Sequence, residues 1–333
     1  MMPEYRPAIS LSICMIVRNE EAVLARCLES VRGAWDQLVI VDTGSEDRTV
    51  EIARRYTPEV YCEPWENDFG KARNSSYSYA RCDYIMYMDA DDVLPDAERE
   101  KLLRLKRDLA AMPEAERPRT LLMPYDVPEA GGVSFRSRMV ARHEGPYWTG
   151  AIHECMFLEE PTRQTDILFL HRKAVQPPKD RNCNIIRAIP RETLRRNFWL
   201  SAQCFLDMTL AGHPEEAEEY FRICAEAEKK IPDTCLQLAS TLNHHQYWEQ
   251  ALRWVRLAET IPETAPESGA DPAALREITV LLYQQGVKAC VRMDLLDEAT
   301  AYNDKVLEIA PENRAAAINR IILEKKKKEI PPA

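Results

Sequence analysis

Basic residues are outnumbered in this chain of 333 residues. Lysine and arginine number 44 against 54 aspartate and glutamate residues, which gives a formal net charge of −10. An acidic chain binds polyanions poorly, so this balance argues against nucleic acid as the main partner. The sequence also shows no signal-peptide pattern and no apolar stretch long enough to span a bilayer. We therefore expect a cytoplasmic protein without a membrane span.

Cysteine pairs with the spacing of a metal site are also missing, although the chain has ten cysteines. Cys14, Cys82, Cys204 and Cys290 lie inside or beside apolar runs, which is typical of reduced core thiols in a cytosolic protein. The length of the chain exceeds the usual size of one hydrophobic core. We therefore predict two domains.

The chain does contain an abrupt change from apolar to acidic residues within 84–94. An apolar run is broken there by Asp89, Asp91 and Asp92. Carboxylates that end a buried strand are expected at the carboxyl edge of an α/β sheet, where such sheets bind ligands. Hard oxygen ligands suit Mg²⁺ or Mn²⁺ holding a diphosphate. The alternative is that an aspartate is only the N-cap of a helix predicted from about Asp96.

Two strand-turn-helix units precede this acidic segment. In the first, the apolar run 10–17 is followed by a helical pattern over 23–31. In the second, a continuously apolar run over 38–41 ends in Asp42 and is followed by a helix predicted over 48–56. Such a run is typical of a parallel strand buried on both faces.

The turn of the second unit has two compatible explanations. Gly44 permits a tight turn, and Asp42 at the strand end is placed to accept hydrogen bonds from a nucleobase or ribose. Capping of the following helix by Ser45 or Asp47 is the other explanation. One loop is able to serve both purposes.

Four motifs in order resemble family 2 glycosyltransferases. They are SICMIVRNEE over 12–21, VIVDTGSEDRT over 39–49, DFGKARN over 68–74 and MDADD over 88–92. The resemblance covers residues 9–175 and implies a GT-A fold, which is an α/β, Rossmann-like nucleotide-diphospho-sugar transferase domain. It also implies a nucleotide-sugar donor, normally a UDP-sugar, inversion at the anomeric carbon, and Mn²⁺ or Mg²⁺ bound through the Asp-x-Asp motif.

The same resemblance assigns roles to individual residues. Asp42 matches the acid that contacts the base, and Asp89 with Asp91 matches the metal motif. His171, which ends an apolar run, matches a third metal ligand, and a structural histidine at a strand end is the alternative. The residues expected at the nucleotide-sugar are Val17, Arg18, Glu20, Asp42, Arg73, Asn74 and Asp89.

The segment YWTGAIHE over 147–154 resembles a subgroup that includes lipopolysaccharide-core and peptide glycosyltransferases. In that subgroup the His-Glu pair lies across the donor pocket from the metal, which makes Glu154 our candidate catalytic base. An inverting transfer needs such a group, because a carboxylate takes the acceptor's proton as the nucleophile attacks. A polar pair at a strand end is the alternative. Nearby, Arg136 and Arg138 are expected either at the acceptor or diphosphate, or on a solvated strand face.

The second half of the chain has helical spacing. Ala217 and Ala251 lie in similar segments 34 residues apart, which is the tetratricopeptide (TPR) period. Ala299 marks a third copy 48 residues further on. A Pro-rich insertion over 262–272 accounts for the length beyond the 34-residue period. We therefore predict a GT-A domain over residues 1–178 and an all-α, TPR-like helical repeat domain over residues 179–333.

The repeats are expected to stack through their aromatic residues. These side chains should fill the gaps between paired helices instead of lining a ligand surface; they are Tyr220, Phe221, Trp254 and Tyr302. Three helix pairs suffice for a stack whose concave face receives a peptide, a partner chain or a second copy, so a homo-oligomer through the repeats stays open. The ending 324–333 is predicted to be a frayed tail.

The predicted function is inverting, metal-dependent transfer of a sugar from a nucleotide-sugar to a peptide or protein acceptor. Repeats of this kind commonly bind peptides and occur in relatives that glycosylate peptides or surface proteins. Transfer to a cell-envelope glycan or lipid-linked saccharide fits the segment 147–154 equally well. A hypothesis of a different class is a non-catalytic TPR scaffold with a degenerate transferase domain, which the retained Asp89, Asp91, Glu154 and His171 disfavour.

Overall fold

The computed structural model describes residues 8–127, 132–173, 180–261 and 271–329. The chain divides into two compact units, residues 1–181 and 182–333. The predicted domain boundary after residue 178 and most of the predicted insertion, residues 262–270, lie outside the described residues.

The first unit is built on a mixed sheet. Its strands are β1 Leu11–Val17, β2 Gln37–Asp42, β3 Val60–Cys62, β4 Tyr84–Tyr87, β5 Asp92–Val93, β6 Thr120–Val127, β7 Gly132–Ala141, β8 Trp148–Thr149, β9 Cys155–Met156, β10 Thr162–Gln164 and β11 Phe169–His171. The order is β3-β2-β1-β4-β7-β6-β11-β5, with β10 beside β6 and with β8 and β9 as a separate ribbon. β3, β2, β1 and β4 are parallel, whereas β7 is antiparallel to both of its neighbours.

In the described part of this unit, four helices connect the strands. They are α1 Leu24–Ser30, α2 Thr49–Ala53, α3 Phe69–Ser78 and α4 Asp96–Ala111, and a single 3₁₀ turn follows at Glu114–Glu116. The predicted helix over 48–56 is shorter than expected, because the chain turns after Arg54 to enter β3. The helix predicted from Asp96 is confirmed.

β2 shows why this arrangement follows from the sequence. All six of its residues are buried. Leu38 and Ile40 pack into the core on one face of the sheet, while Val39 and Val41 pack into a second core on the other face. This confirms a parallel strand covered on both sides and an α/β, Rossmann-like sheet. The parallel β1, β2 and β4 end at one edge of the sheet, which brings together the segments after Val17, Asp42 and Tyr87.

The second unit is all helical over its described residues. Its helices are α5 Arg181–Ala188, α6 Arg191–Arg196, α7 Phe198–Ala211, α8 Pro214–Glu226, α9 Pro232–His244, α10 Trp248–Glu259, α11 Pro272–Arg292, α12 Leu296–Ile309 and α13 Arg314–Glu329. α5 begins at the last residue of the first unit.

The C-terminal segment 324–333 was predicted to be a frayed tail, but α13 continues to Glu329. Lysines near a helix C-terminus complement its dipole, and Lys327 pairs with Asp297 of α12 over 2.7 Å.

The three predicted repeats share one turn geometry. A residue with positive φ lies five positions before each repeat alanine: Gly212 at 91°, Gln246 at 67° and Asp294 at 61°. In each turn the next backbone N–H donates to the carbonyl five residues earlier, as from His213 to Met208. Ala217, Ala251 and Ala299 are buried, as are Tyr220, Trp254 and Tyr302. The aromatic residues therefore belong to the core, and Phe221 joins it half-buried, with its ring 5.5 Å from that of Trp254.

Candidate donor and metal site

Asp42 closes β2, and only one of its two carboxylate oxygens accepts hydrogen bonds from the described residues. Its Oδ2 accepts backbone N–H groups from Gly44 at 3.1 Å and Ser45 at 3.0 Å. Its Oδ1 is buried and accepts no hydrogen bond from the described residues. A buried acceptor without a donor is costly, so this atom fits a ligand N–H or O–H such as that of a nucleobase. Asp47 Oδ1 separately accepts the N–H of Thr49, the first residue of α2, at 2.9 Å.

The loop after β1 lies beside Asp42 and the acidic segment. The Val17 side chain is buried, and its carbonyl accepts the backbone N–H of Thr43 at 2.9 Å. Arg18 is exposed. Burial and then the charges of Asp91 and Asp89 raise the pKa of Glu20 to about 7. Glu20 thus belongs electrostatically to the same edge of the sheet.

Arg73 of α3 ties two of the predicted site carboxylates together. Its Nη2 donates to Asp89 Oδ1 at 2.9 Å and its Nε donates to Glu154 Oε1 at 2.8 Å. The guanidinium carbon lies 5.0 Å from the ring centroids of both Tyr87 and Trp148. Burial by itself would lower the pKa of Arg73, but Asp89 and Glu154 raise it above its ordinary value. The arginine is therefore a permanent cation between the acidic motif and the candidate base.

The segment that carries Glu154 is held by α3. Asn74 Oδ1 accepts the backbone N–H groups of Tyr147 and Trp148, both at 2.9 Å, and its Nδ2 donates to the Trp148 carbonyl. The amide of Asn74 is thereby used to fix this segment, a function that sequence reasoning missed. At the start of α3, the Gly70 N–H donates to the Gly150 carbonyl at 3.2 Å. Within the segment, His153 takes a positive φ of 50°.

The acids of the motif have separate partners and do not cap α4. The N-cap position of α4 is Pro95, and no side chain caps it, so the capping explanation is wrong. Asp91 Oδ1 lies 3.2 Å from His171 Nδ1. Asp92 is completely buried, and its Oδ2 accepts Arg138 Nη1 at 2.7 Å. Burial would raise the pKa of Asp92, but Arg138 and the neighbouring hydrogen bonds hold it at about 2.

Arg138 contradicts both expectations made for it, since it faces neither solvent nor an open acceptor site. Its side chain is fully buried. The register of β7 against β6 shifts at this residue, so that Leu121 pairs with Met139 and Leu122 with Ser137. Such an irregularity changes the direction in which a side chain points. Arg136, two residues away, remains exposed.

His171 ends β11 beside these acids. Burial would lower its pKa, but hydrogen bonds with Asp91 and Asp92 raise it to about 9. Asp91, Asp92 and His171 offer ligand atoms within 4.8 Å of one another. Asp92 is already engaged by Arg138 and by the Tyr125 hydroxyl, so within this group Asp91 and His171 are the two residues that remain as candidate cation ligands. One carboxylate oxygen and one imidazole nitrogen are ligand types that suit Mn²⁺. Asp89 Oδ1 accepts a hydrogen bond from Arg73, and metal binding by Asp89 stays a prediction.

None of the helices in the described residues is both long and apolar enough to cross a bilayer.

Comparison with known proteins agrees with this organisation. Residues 12–120 match the profile of the Glycosyl transferase family 2. A TPR repeat-containing protein of Synechococcus elongatus is 44% identical over 84 residues, which are 25% of this chain and 21% of that protein. The SPbeta prophage-derived glycosyltransferase SunS of Bacillus subtilis is 34% identical over 105 residues, which are 31% of this chain and 24% of SunS.

A longer alignment joins this chain to the lipopolysaccharide core biosynthesis glycosyltransferase LpsC of Rhizobium meliloti. The two are 32% identical over 153 residues, which are 42% of this chain and 54% of LpsC. Each of these three alignments thus spans less than two thirds of the relative. Among solved structures, residues 1–349 of TarS from S. aureus in complex with UDP-GlcNAc align at 14% identity and a TM-score of 0.41, over 89% of this chain and 91% of that one. The chain therefore carries a Glycosyl transferase family 2 domain that includes residues 12–120, and TPR-like helices follow it.

Proposed function

We propose that the chain transfers a sugar, with inversion, from a UDP-sugar to a peptide or protein acceptor in a reaction that needs Mn²⁺ or Mg²⁺. The observation that carries this proposal is the convergence of three features at one edge of the sheet. These are the buried Oδ1 of Asp42, which accepts no hydrogen bond from the described residues, the pair formed by Asp91 and His171, and Glu154 bound to the same arginine as Asp89. They match the needs of a nucleobase, a diphosphate and an acceptor.

In the proposed reaction, Asp42 accepts a hydrogen bond from the base, and the loop after β1 borders the nucleotide. The acceptor heteroatom attacks the anomeric carbon from the side opposite the UDP oxygen, whose bond to that carbon breaks. Glu154 takes the proton that the acceptor loses. A bound divalent ion supplies positive charge for the departing diphosphate. Arg73 holds Glu154 in place and keeps Asp89 beside it.

A peptide or protein acceptor is supported by the second unit. Its helices repeat one turn geometry three times, and stacked helix pairs of this kind offer an extended concave face. We expect an extended peptide to bind along that face. The helices also allow a second copy to bind, which is the other use proposed for them.

Transfer to a cell-envelope glycan or lipid-linked saccharide is the second candidate. It is favoured by the alignment with the lipopolysaccharide-core enzyme LpsC, which covers 153 residues. An acceptor assay that offers peptide and saccharide acceptors side by side, with the same UDP-sugar, separates the two candidates.

The test of the proposal begins with the donor. A panel of nucleotide-sugars is titrated calorimetrically with Mn²⁺ present, and the tightest donor is then incubated alone to measure slow hydrolysis. Binding with hydrolysis is expected of an active transferase. A domain that binds no nucleotide-sugar would contradict the proposal. Binding without hydrolysis or transfer would support the non-catalytic scaffold.

A further inference from the structure

A buried chain of hydrogen bonds leads from Arg138 to His171. Arg138 Nη1 donates to Asp92 Oδ2 at 2.7 Å, and the Tyr125 hydroxyl donates to Asp92 Oδ1 at 2.8 Å. The guanidinium carbon of Arg138 lies 4.3 Å from the ring centroids of Tyr87 and Tyr125. Asp92 Oδ2 also accepts the backbone N–H of Asp89 at 3.0 Å. Both oxygens of Asp92 are therefore engaged by donors of the protein itself.

The charges of Asp92 and Arg138 determine which atom donates in each of these hydrogen bonds. A carboxylate paired with a buried guanidinium only accepts hydrogen bonds, so Tyr125 must give its single hydroxyl proton to Asp92. The Tyr125 oxygen is then an acceptor in its 2.7 Å contact with His171 Nδ1. Asp91 Oδ1, at 3.2 Å from the same nitrogen, is also an acceptor.

It follows that Nδ1 of His171 carries a proton. When a cation binds, the imidazole is neutral and only one nitrogen carries a proton; the other one, Nε2, then binds the metal through its lone pair. Every hydrogen bond or ion pair of the His171 ring that the described residues provide is made through Nδ1. Nε2 is thus the nitrogen left for a cation.

We propose that Tyr125 is a positioning residue that, backed by Asp92 and Arg138, presents His171 Nε2 to the divalent ion of the donor site. The inference rests on the metal dependence in the proposed function. In this proposal Asp92, although part of the acidic motif, does not bind the metal ion. Asp92 instead accepts the hydrogen bond that orients the Tyr125 hydroxyl. Partners of this kind fix the tautomer and the ring orientation of metal-binding histidines.

The test compares two tyrosine variants in the full chain. Tyr125→Phe keeps the ring and removes only the hydroxyl. Tyr84→Phe is the matched control, because its buried hydroxyl in the same sheet donates to the Pro118 carbonyl at 2.8 Å, away from the metal site. With UDP present, Mn²⁺ affinity is measured from the electron paramagnetic resonance signal of the free ion. Tyr125→Phe should weaken Mn²⁺ binding by about 10- to 100-fold, and Tyr84→Phe should leave it near wild type.

Equal Mn²⁺ affinity in Tyr125→Phe and Tyr84→Phe overturns the positioning function. Failure of the wild-type chain to bind Mn²⁺ with UDP overturns the proposed metal dependence and this inference together, so the two failures are distinguishable.

A second measurement uses the wild-type chain and does not depend on the folding of a variant. Long-range ¹H–¹⁵N correlation spectra are recorded on chain labelled with ¹⁵N-histidine and loaded with UDP and Zn²⁺ as a diamagnetic ion. The His171 signals are identified by their loss in His171→Gln. A proton on Nδ1 with Nε2 bound to the metal supports the inference, and the reverse assignment overturns it.

Discussion

Arg73 shows how one side chain organises the candidate site. Its hydrogen bonds join a helix to two loops that are distant in sequence, since Glu154 lies 81 positions and Asp89 16 positions away. Tyr87 and Trp148 flank the guanidinium and limit its movement. Because it is buried and remains charged, Arg73 balances carboxylates that would otherwise repel one another at this edge of the sheet.

At the same scale, Glu154→Gln separates chemistry from binding. The variant keeps the size of the side chain but cannot accept the acceptor's proton, so turnover should fall by about two to four orders of magnitude. Affinity for the UDP-sugar should change little. Both quantities are measured on one preparation, by transfer assay and by calorimetry.

The matched control for Glu154→Gln is Glu159→Gln. Glu159 is also bound to an arginine Nε, from Arg119 at 2.6 Å, but it lies outside the site. Turnover near wild type in Glu154→Gln would reject Glu154 as the base.

Asp91 provides a test of the metal. If Asp91 and His171 hold a divalent ion with the diphosphate, UDP affinity should fall by at least about tenfold in EDTA, and Asp91→Ala should lose the response to Mn²⁺. Calorimetry with and without Mn²⁺ measures both effects. Asp166→Ala removes an exposed carboxylate whose partner is Lys101 and serves as the control. UDP affinity that is unaffected by EDTA would contradict a shared ion.

At the scale of the elements, the start of α3 determines where Glu154 lies. Asp68 caps the helix by accepting the Lys71 N–H at 2.7 Å, and the Phe69 N–H donates to the Ala151 carbonyl at 2.8 Å. A Cβ atom on Gly70 would lie 2.6 Å from the Gly150 oxygen. Glycine is therefore required here for the close approach of two backbones.

Gly70→Ala should consequently displace the segment that carries Glu154. Such overpacking costs about 1–3 kcal/mol of unfolding free energy, and a shift of about 1 Å in a catalytic group can lower turnover by about 100-fold. Urea unfolding and transfer rates measure the two effects. Lys71→Ala, at the next and exposed position, should retain both near wild type. Unchanged turnover in Gly70→Ala would show that the loop adapts without loss.

Close packing between helices requires a small side chain at the repeat alanines. Ala251 is fully buried on α10, whereas Ala315 on α13 is exposed. Ala251→Leu should therefore lower the free energy of unfolding by about 1–3 kcal/mol, and Ala315→Leu should change it by less than about 0.5 kcal/mol. Urea denaturation followed by circular dichroism compares them. Equal stability of the two variants would argue against close helix packing at Ala251.

At the scale of the whole molecule, each unit has its own hydrophobic core. The core residues of the transferase unit lie between Ile9 and Phe169, on both faces of its sheet. A fragment of residues 1–181 should therefore fold and bind UDP-sugar with Mn²⁺ at near wild-type affinity. Calorimetry on the fragment checks this. Loss of transfer with donor binding intact would indicate that the helices recruit the acceptor, and aggregation would indicate a shared core.

The sequence anticipated the elements whose signals are local. The buried run of β2, the acids after β4 and the repeated alanines were all predicted from spacing, and the structure places them as expected. Arg138 was missed, because the register shift in β7 leaves no trace in the pattern of apolar and polar residues. The part that Asn74 plays was missed for a related reason, since its partners Tyr147 and Trp148 are 73 and 74 positions away.

By itself, the sequence determined which segments become strands, turns and helices, because apolar periodicity and turn chemistry act over a few neighbouring residues. The tertiary structure decided which partner and which degree of burial each carboxylate of the acidic motif has. Asp89 faces Arg73, Asp91 faces His171, and Asp92 is buried against Arg138, although the three lie within four positions. Their environments come from strands and helices distant in the chain, and only the folded sheet sets those distances and the burial that gives each charge its partner.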